Sequence, residues 1–375
     1  MFVSAGLDFS AVIDVDGFVW TWGNTLYNSL CYSPESDGAC QSSPQKLNQL
    51  KKKIKSVALG HAHSIFVDCE GCVWVCGSNA SGQLGLEARD TKLDFEKVEN
   101  LPTILSVATA PTHSIFLDSE NNVWVCGANN RGLLGLETLF HIRVPAKIES
   151  LPAILAVSAG NLHSIFVGKD GSSWVCGDNG FCQLGLGDSL DRTYPVQITG
   201  LPFILSASAG YNHSLFLDID GAVWSCGDNS TGQLGLGNNQ LRMRPQRITN
   251  LPAISAVFAS YYFSFLLDDE GSVWVCGENT FGQLCSNRTV HFMYPEKIAE
   301  IPQIHSIALG KNHTLLLDVD GCLWSCGWNN YGQLGIDLKN KTATTPTQIE
   351  GLPQVPTKST VQTKSARKLF DYHGN

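Results

Sequence analysis

Histidine recurs at one position of a repeated segment, and imidazole is the side chain best suited to metal binding or to proton exchange near neutral pH. Each copy is followed by Ser or Thr, and the positions are His63, His113, His163, His213 and His313. A ring of imidazoles around one mouth of a channel could bind a metal or respond to pH. We favour a structural role, in which each His holds its own repeat by bonding a neighbouring backbone group. Ligands spread around a ring do not converge within about 2 Å of one ion.

The same segment does not suit serine-hydrolase chemistry. Neighbouring residues of a strand point to opposite faces of the sheet, so His63 and Ser64 cannot form a relay within one repeat. The sequence also lacks phosphate-binding loops, paired catalytic carboxylates and nucleotide-binding motifs. We therefore expect no catalytic residues, no metal and no cofactor.

Thirteen cysteines are present, an odd number, and six of them share one repeat position: Cys76, Cys126, Cys176, Cys226, Cys276 and Cys326. A disulfide needs Cα atoms closer than about 7 Å, and equivalent positions of neighbouring repeats are normally farther apart. We expect these six to be reduced, buried and apolar in character, as in a cytosolic or nuclear protein.

A tryptophan series sets the period of the repeat. Trp20 comes first and 54 residues later a strict step of 50 begins, through Trp74, Trp124, Trp174, Trp224, Trp274 and Trp324. A fixed period of this length indicates a repeat architecture, here of seven copies. We interpret the series as core residues that fill the wedge between neighbouring repeats, because large aromatic side chains bury the most apolar surface.

Each copy has four short apolar segments separated by turn residues, which is typical of β-strands. In the fifth copy we predict strands over Ser206–Gly210, His213–Asp218, Ala222–Cys226 and Pro245–Ile248. Glycine in the turn between the second and third strands supplies the positive φ of a tight hairpin. The loop after the third strand reads Asn-x-x-Gly-Gln-Leu-Gly in most copies, and its Leu is expected to plug the gap between repeats.

These features predict an all-β fold, a seven-bladed β-propeller of four-stranded blades, because closing the ring removes most exposed sheet edges. A first strand at Phe2–Gly6 and a fourth strand near Pro346–Ile349 place all 28 strands in the ring, so that little or no strand exchange between the ends is needed. The predicted repeats are about 1–50, 51–103, 104–153, 154–203, 204–253, 254–303 and 304–354. Residues 355–375, with four basic side chains against one Asp, are predicted to be a flexible tail.

The formal net charge of −9 disfavours direct binding to nucleic acid, which depends on clustered Lys and Arg. No apolar run approaches the roughly 20 residues needed to span a bilayer, and the N-terminal residues lack a secretion-signal pattern. We therefore expect a soluble, monomeric protein of the cytoplasm or the nucleus.

The segments G-x-x-H-S, D-x-D-G-x-V-W and C-G-x-N-x-x-G-Q-L-G, in this order and at this period, resemble the regulator of chromosome condensation repeat over nearly the whole chain. That family includes a nucleotide exchange factor for the Ran GTPase, propeller modules of ubiquitin ligases, a plant UV-B photoreceptor and a bacterial β-lactamase inhibitor. The exchange factor implies a wedge inserted into one blade. The uniform spacing from Trp74 to Trp324 leaves no room for one, and the lengthened loop after Gly23, which contains Tyr27, is four residues longer than its sisters.

Departures from the repeat mark the candidate binding residues, because packing alone favours sameness. The sixth copy replaces G-x-x-H-S by Ser-Tyr-Tyr-Phe-Ser, which puts Tyr261, Tyr262 and Phe263 where the sister copies are polar. This substitution could equally be a local packing change. In the seventh loop, Trp328 and Tyr331 would make contact anchors. Arg131, in the third loop, and Tyr27 complete the set.

Two functions follow from the resemblance. The first is a protein-interaction scaffold whose loops on one face bind a protein partner. The alternative is guanine nucleotide exchange on a Ran-like small GTPase, which would act by binding and nucleotide expulsion. A ubiquitin-pathway component is a further candidate partner, for which the chain would be an isolated binding module, because it contains no ligase domain.

Overall fold

The computed structural model describes residues 2–26, 40–88, 90–337 and 341–357, and these form 28 β-strands in seven four-stranded antiparallel sheets. The strands of blades one to four are β1 Val3–Ala5, β2 Phe9–Ile13, β3 Val19–Asn24, β4 Cys40–Lys46, β5 Ile54–Leu59, β6 His63–Asp68, β7 Val73–Gly77, β8 Lys92–Lys97, β9 Ile104–Thr109, β10 His113–Asp118, β11 Val123–Gly127, β12 Ile142–Lys147, β13 Ile154–Ala159, β14 His163–Gly168, β15 Ser173–Gly177 and β16 Arg192–Gln197. Those of blades five to seven are β17 Ile204–Ala209, β18 His213–Asp218, β19 Val223–Gly227, β20 Arg242–Arg247, β21 Ile254–Ala259, β22 Phe263–Asp268, β23 Val273–Gly277, β24 Phe292–Lys297, β25 Ile304–Leu309, β26 His313–Asp318, β27 Leu323–Trp328 and β28 Thr342–Gln348. The prediction of a seven-bladed β-propeller is confirmed.

Each blade is a meander whose strands pair in sequence order. The second strand of blades two to seven is buried along its whole length, because a neighbouring blade covers each of its faces. The fourth strand is the outer edge of each blade and is largely exposed. Most of these strands contain a proline, which is tolerated at an edge because no neighbouring strand requires its missing backbone N–H. First strands of adjacent blades contact one another and therefore line the central channel.

The hairpin between the second and third strands is fixed by an aspartate in every blade except the fourth, where Gly168 takes that position and the Trp174 indole N–H donates to Ser172 at 2.9 Å. In blade two, the carboxylate of Asp68 accepts the backbone N–H of Glu70 and of Cys72, and its other oxygen accepts the indole N–H of Trp74 at 2.9 Å. Gly71 has φ +86°, as the turn requires. In blade three Asn121 takes this conformation, at φ +69°. The tryptophan series is therefore only half-buried; it packs on the core and also anchors this turn.

The core lies between blades and not within them. Leu84, from the loop that follows the third strand of blade two, packs with Phe116 and Cys126 of blade three. The equivalent leucines are all fully buried, which confirms that this residue plugs the gap between blades: Leu84, Leu134, Leu184, Leu234, Leu284 and Leu334. Blades are thus joined by the same loop residue at successive interfaces.

The ring closes by packing blade one on blade seven. Val3, Val12 and Trp22 of blade one share a core with side chains of β26 and β27. Each terminal blade is built from its own four strands, so the prediction of closure without strand exchange is confirmed. In the fifth copy, the first strand begins two residues earlier than predicted and the fourth strand begins three residues earlier. None of the described residues forms a membrane-spanning helix.

Candidate protein-binding face

The histidines join neighbouring blades. The Nε2 of each lies within hydrogen-bond distance of the Ser Oγ of the next blade, in the pairs His63–Ser114 at 3.2 Å, His113–Ser164 at 3.2 Å, His163–Ser214 at 3.0 Å, His213–Ser264 at 2.9 Å and His313–Ser10 at 3.0 Å. Each serine donates its own proton to a loop carbonyl of the preceding blade, as Ser214 does to Gln183 at 2.7 Å. The imidazole must therefore donate through Nε2. The predicted partner, a backbone group of the same repeat, is wrong.

These imidazoles are held neutral. All five are fully buried, and burial lowers the pKa of His63, His113, His163, His213 and His313 to about 3. Each Nε2 is already used on a serine. We therefore expect no charge change in these five imidazoles near neutral pH.

Tyr261 of blade six reaches across the mouth of the central channel. The turns between the first and second strands, here called the 1–2 turns, surround this mouth and a cavity of about 130 Å³. The Tyr261 hydroxyl is hydrogen-bonded to Nε2 of His61 in blade two, and the two rings are parallel with centroids 6.0 Å apart. Tyr211 stacks on Tyr261 at 5.1 Å, and the Lys311 ammonium lies 5.7 Å from the Tyr261 ring. Tyr261 is therefore a plug of the channel.

The other two residues of the sixth copy have different environments. Phe263 occupies the histidine position, is fully buried and packs edge-on against Phe265 at 5.9 Å, so it is a core residue and offers no contact surface. Tyr262 is half-buried beside Tyr211, and the centroids of the two rings are 5.5 Å apart. Burial raises its pKa, and so do Tyr211, Asp228 and Glu278. Of the three predicted residues, Tyr262 remains available on the surface.

Asp8 is the acidic residue of the 1–2 turn of blade one. Its side chain is 8% exposed and its Oδ1 has no hydrogen-bond partner in the protein. Burial raises the pKa of Asp8 to about 6, and the positive charge of Lys311 offsets part of this shift. The carboxyl is thus partly protonated in mildly acidic solution.

Acidic side chains follow the C-G pair at the ends of β15, β19 and β23. Asp178 and Asp228 each accept a hydrogen bond from a loop glutamine, Gln183 at 2.6 Å and Gln233 at 2.9 Å. Glu278 occupies the same position in blade six. The loops between third and fourth strands, here called the 3–4 loops, lie on the same face as the 1–2 turns, as the bond from Thr231 Oγ1 to the Tyr262 carbonyl at 2.9 Å illustrates. Asp228 and Glu278, on two successive blades, are therefore near enough to Tyr262 to act on its hydroxyl.

Trp328 takes the corresponding position in blade seven. It packs against Phe281 of the blade-six loop, with ring centroids 5.9 Å apart, and edge-on against Tyr331, with ring centroids 5.6 Å apart. All three side chains are half-buried. We call Tyr211, Tyr262, Phe281, Trp328 and Tyr331 the aromatic face. It spans blades five to seven.

Arg131 acts between blades three and four. Its guanidinium donates to Asp191 at 2.9 Å and lies 3.7 Å from Asp178, and its side chain is 53% exposed. Tyr27 lies outside the described residues. Asp68, Glu70 and Cys72 form the one cluster with metal-ligand spacing in the described part of the chain, and there the Asp68 carboxylate already fixes the hairpin turn.

Two of the six repeated cysteines are oxidised, so the prediction that all six are reduced is wrong. Cys326 forms a disulfide with Cys285, at a Cα–Cα distance of 5.6 Å. Cys76 is also disulfide-bonded. The distance argument considered equivalent positions of neighbouring blades, whereas Cys285 stands at a different repeat position that faces the next blade directly.

Sequence reasoning missed His61, Tyr211, Phe281, Lys311 and Asp8. The signal that could have identified four of them is position: His61, Tyr211, Lys311 and Asp8 occupy the two variable places of the G-x-x-H segment. Because the 1–2 turns surround one channel mouth, residues far apart in sequence meet there.

Family models match most of the chain. The RCC1-like domain model covers residues 1–253, and regulator of chromosome condensation (RCC1) repeat models cover 254–283, 304–333, 270–317 and 320–363. The X-linked retinitis pigmentosa GTPase regulator homolog of Caenorhabditis elegans is 33% identical over 23% of this chain and 6% of its own length. The probable E3 ubiquitin-protein ligase HERC6 of Homo sapiens is 34% identical over 25% of this chain and 9% of its own. The match thus spans under a tenth of either relative.

The fold is shared with Prp20p of Saccharomyces cerevisiae, whose structure is described together with its binding to Gsp1p and histones. That structure is 22% identical, covers 94% of this chain and 88% of its own, and gives a TM-score of 0.82. Since the RCC1-like domain model alone matches more than half of the residues, the chain belongs to the regulator of chromosome condensation (RCC1) repeat family.

Proposed function

We propose that this chain is a protein-interaction scaffold whose aromatic face binds a protein partner. The observation that carries the proposal is the meeting of Phe281, Trp328 and Tyr331 across two blades, on the same face as Tyr211 and Tyr262. Half-buried Tyr and Trp side chains are the commonest energetic anchors of protein interfaces. Their loops are tied to a closed ring, so little conformational freedom is lost on binding.

The partner should be basic where it meets this face. Asp228 and Glu278 lie on consecutive blades near Tyr262, and the whole chain carries a net charge of −9. Complementary charge would speed the encounter and orient the partner, while the aromatic anchors supply affinity.

The test is affinity capture with paired variants. Trp328→Ala combined with Tyr262→Ala removes one anchor from each end of the aromatic face and should lower recovery of specific partners at least tenfold, about 1.4 kcal/mol or more. Tyr294→Ala is the matched control, because Tyr294 is 62% exposed but lies on the outer strand β24. Equal loss with both variants, or no loss with the double variant, would exclude this face as the binding surface.

Nucleotide exchange on a Ran-like GTPase is the alternative. Its support is the fold shared with Prp20p, and the loop that could replace the wedge includes residues 27–39, outside the described residues. Release of fluorescent GDP from Ran-, Rho- and Arf-type GTPases distinguishes the two functions. Acceleration of a Ran-type GTPase alone would favour exchange; no acceleration, with partner capture that depends on Trp328, would favour the scaffold. A ubiquitin-pathway partner would appear in the same capture experiment.

A further inference from the structure

The disulfide between Cys285 and Cys326 arises from a contact that recurs at several interfaces. The Asn-x-x-Gly-Gln-Leu-Gly motif of the 3–4 loop ends in glycine in blades two, three, four, five and seven, and blade six has Cys285 instead. A Cβ built on Gly135, Gly185 or Gly235 would lie 2.9–3.2 Å from the cysteine Sγ of the following blade. Replacing that glycine by cysteine in one blade therefore brings a second sulfur against the repeated thiol.

The substitution is costly for the backbone. Cys285 has φ +57°, a conformation that glycine adopts freely and other residues adopt at a cost. Cys182 provides the comparison, because it also replaces a loop glycine, at φ +60°, and remains a free thiol. The positive φ alone thus does not account for a bond at Cys285.

The disulfide lies close in sequence to two residues of the aromatic face. Phe281 is four residues before Cys285 in the blade-six loop, and Trp328 is two residues after Cys326 on β27. The covalent bond therefore links the two backbone segments that hold the Phe281–Trp328 contact, whose ring centroids are 5.9 Å apart.

One of the two cysteines lines a cavity. A space of about 370 Å³ is lined by Cys285 together with Arg288, Phe292, Thr345 and Pro346. Cys326 does not line it and is fully buried, and Cys285 is 3% exposed. A small thiol entering from this side would meet Cys285 first.

We propose that the Cys285–Cys326 disulfide is a site of reversible thiol–disulfide exchange that sets the geometry of the aromatic face. The thiolate of a dithiol reductant attacks Sγ of Cys285, the S–S bond breaks, and Cys326 leaves as a thiolate that takes up a proton. The second thiol of the reductant then attacks the mixed disulfide, so that the reductant departs as its own disulfide and both cysteines are thiols. Two electrons and two protons reach the protein.

The two thiols so formed differ in access. Cys285 lines the cavity and Cys326 does not, so Cys285 is the thiol through which reoxidation starts. As regulation of the aromatic face, this inference rests on the proposed function.

The test uses the full chain purified without reductant and then treated with increasing dithiothreitol. Differential alkylation with peptide mass spectrometry reports the oxidation of Cys285 and Cys326, and hydrogen exchange reports residues 278–288 and 325–336. Trp328 is followed as the fluorescence difference between the wild type and Trp328→Phe. Reduction should speed exchange in both segments by roughly tenfold or more and change the Trp328 emission, while the fold is retained.

Two glycine variants sharpen the result. Cys285→Gly restores the residue of the sister loops and should behave like the reduced wild type at every dithiothreitol concentration. Cys182→Gly, the matched control, should respond to dithiothreitol as the wild type does.

The proposal is overturned if the pair resists dithiothreitol until the protein unfolds, if it is reduced without any change in exchange or emission, or if Cys285→Gly resembles the oxidised protein. No readout involves a partner. A failed partner capture would therefore remove the proposed function and leave the exchange site standing, and the reverse also holds.

Discussion

At the scale of single residues, one chemical type serves different ends according to burial. The repeated histidines are fully buried, neutral donors, whereas His61 at the channel mouth bonds a tyrosine 200 residues away. Burial also lowers the pKa of His61, to about 4, with a smaller contribution from Lys311. Asp8 is the opposite case, because burial there favours a neutral acid over a charged one.

Asp8→Asn should stabilise the protein in neutral solution. The pKa of the folded carboxyl is about 6 against an ordinary value of 3.8, so the folded state binds more protons between these limits, and the stability contributed by Asp8 falls as pH rises through them. At pH about 7.5 the free energy of unfolding, measured with denaturant, should be about 1–3 kcal/mol higher for the variant than for the wild type. Near pH 4 the two free energies should agree.

Asp16→Asn, at an exposed position, is the control for Asp8 and should follow the wild type at both pH values. A loss of stability in Asp8→Asn at neutral pH would mean that the attraction between Asp8 and Lys311 outweighs the cost of burying the carboxylate.

At the scale of structural elements, neighbouring blades are joined by a relay from imidazole to hydroxyl to loop carbonyl. His163 donates to Ser214 of the next blade, and Ser214 donates to the Gln183 carbonyl of the first. The relay thus ties the second strands of two blades to the 3–4 loop between them. In blade six Phe263 replaces the histidine, yet Thr314 still donates to Gln283 at 2.8 Å.

His163→Gln should reduce the sensitivity of the fold to acid. The pKa of His163 is about 3 in the folded state against 6.5 ordinarily, so the unfolded chain takes up a proton below pH 6.5 and stability falls by up to about 1.4 kcal/mol per pH unit for each such histidine. Gln keeps an amide donor for Ser214 but cannot titrate.

We expect His163→Gln to lose about 1–3 kcal/mol at pH 7.5 and to lower the slope of unfolding free energy against pH, between about pH 4 and 6, by one proton. His141→Gln, an exposed position, is the control and should retain the wild-type slope. An unchanged slope in His163→Gln would contradict the neutral, buried state of the ring.

The strands and turns could be predicted from the sequence because the same signals recur along it: the period, the hairpin glycines and the loop leucine all reappear in most blades. Contacts between non-equivalent repeat positions could not be predicted in this way. Tyr261 contacts His61 because a closed ring brings opposite blades to one channel. Cys285 contacts Cys326 because the 3–4 loop of one blade faces the third strand of the next. Comparing copies by equivalent position cannot reveal either contact.

At the scale of the whole molecule, the fold depends on one interface between distant parts of the chain. Trp22 occupies the repeated cysteine position in blade one and donates its indole N–H to the Gln333 carbonyl at 2.9 Å. Ser10 donates to the same carbonyl at 2.8 Å and is hydrogen-bonded to His313. The closing interface thus uses the same relay as the others, with a larger aromatic side chain in place of the thiol.

Trp22→Ala should open this seam before the rest of the propeller unfolds. The side chain is fully buried in the core shared by blades one and seven, so its removal should lower the free energy of unfolding by about 3–5 kcal/mol. That interface is where the first and last blades close the ring. We expect fast hydrogen exchange confined to β1–β3 and β25–β27 under native conditions. Phe216→Ala is the matched comparison, because Phe216 is as buried at the interface of blades four and five, where the chain itself still links the two sides. It should lower global stability without local opening at the seam, and identical exchange patterns in the two variants would show that closure contributes no more than any other interface.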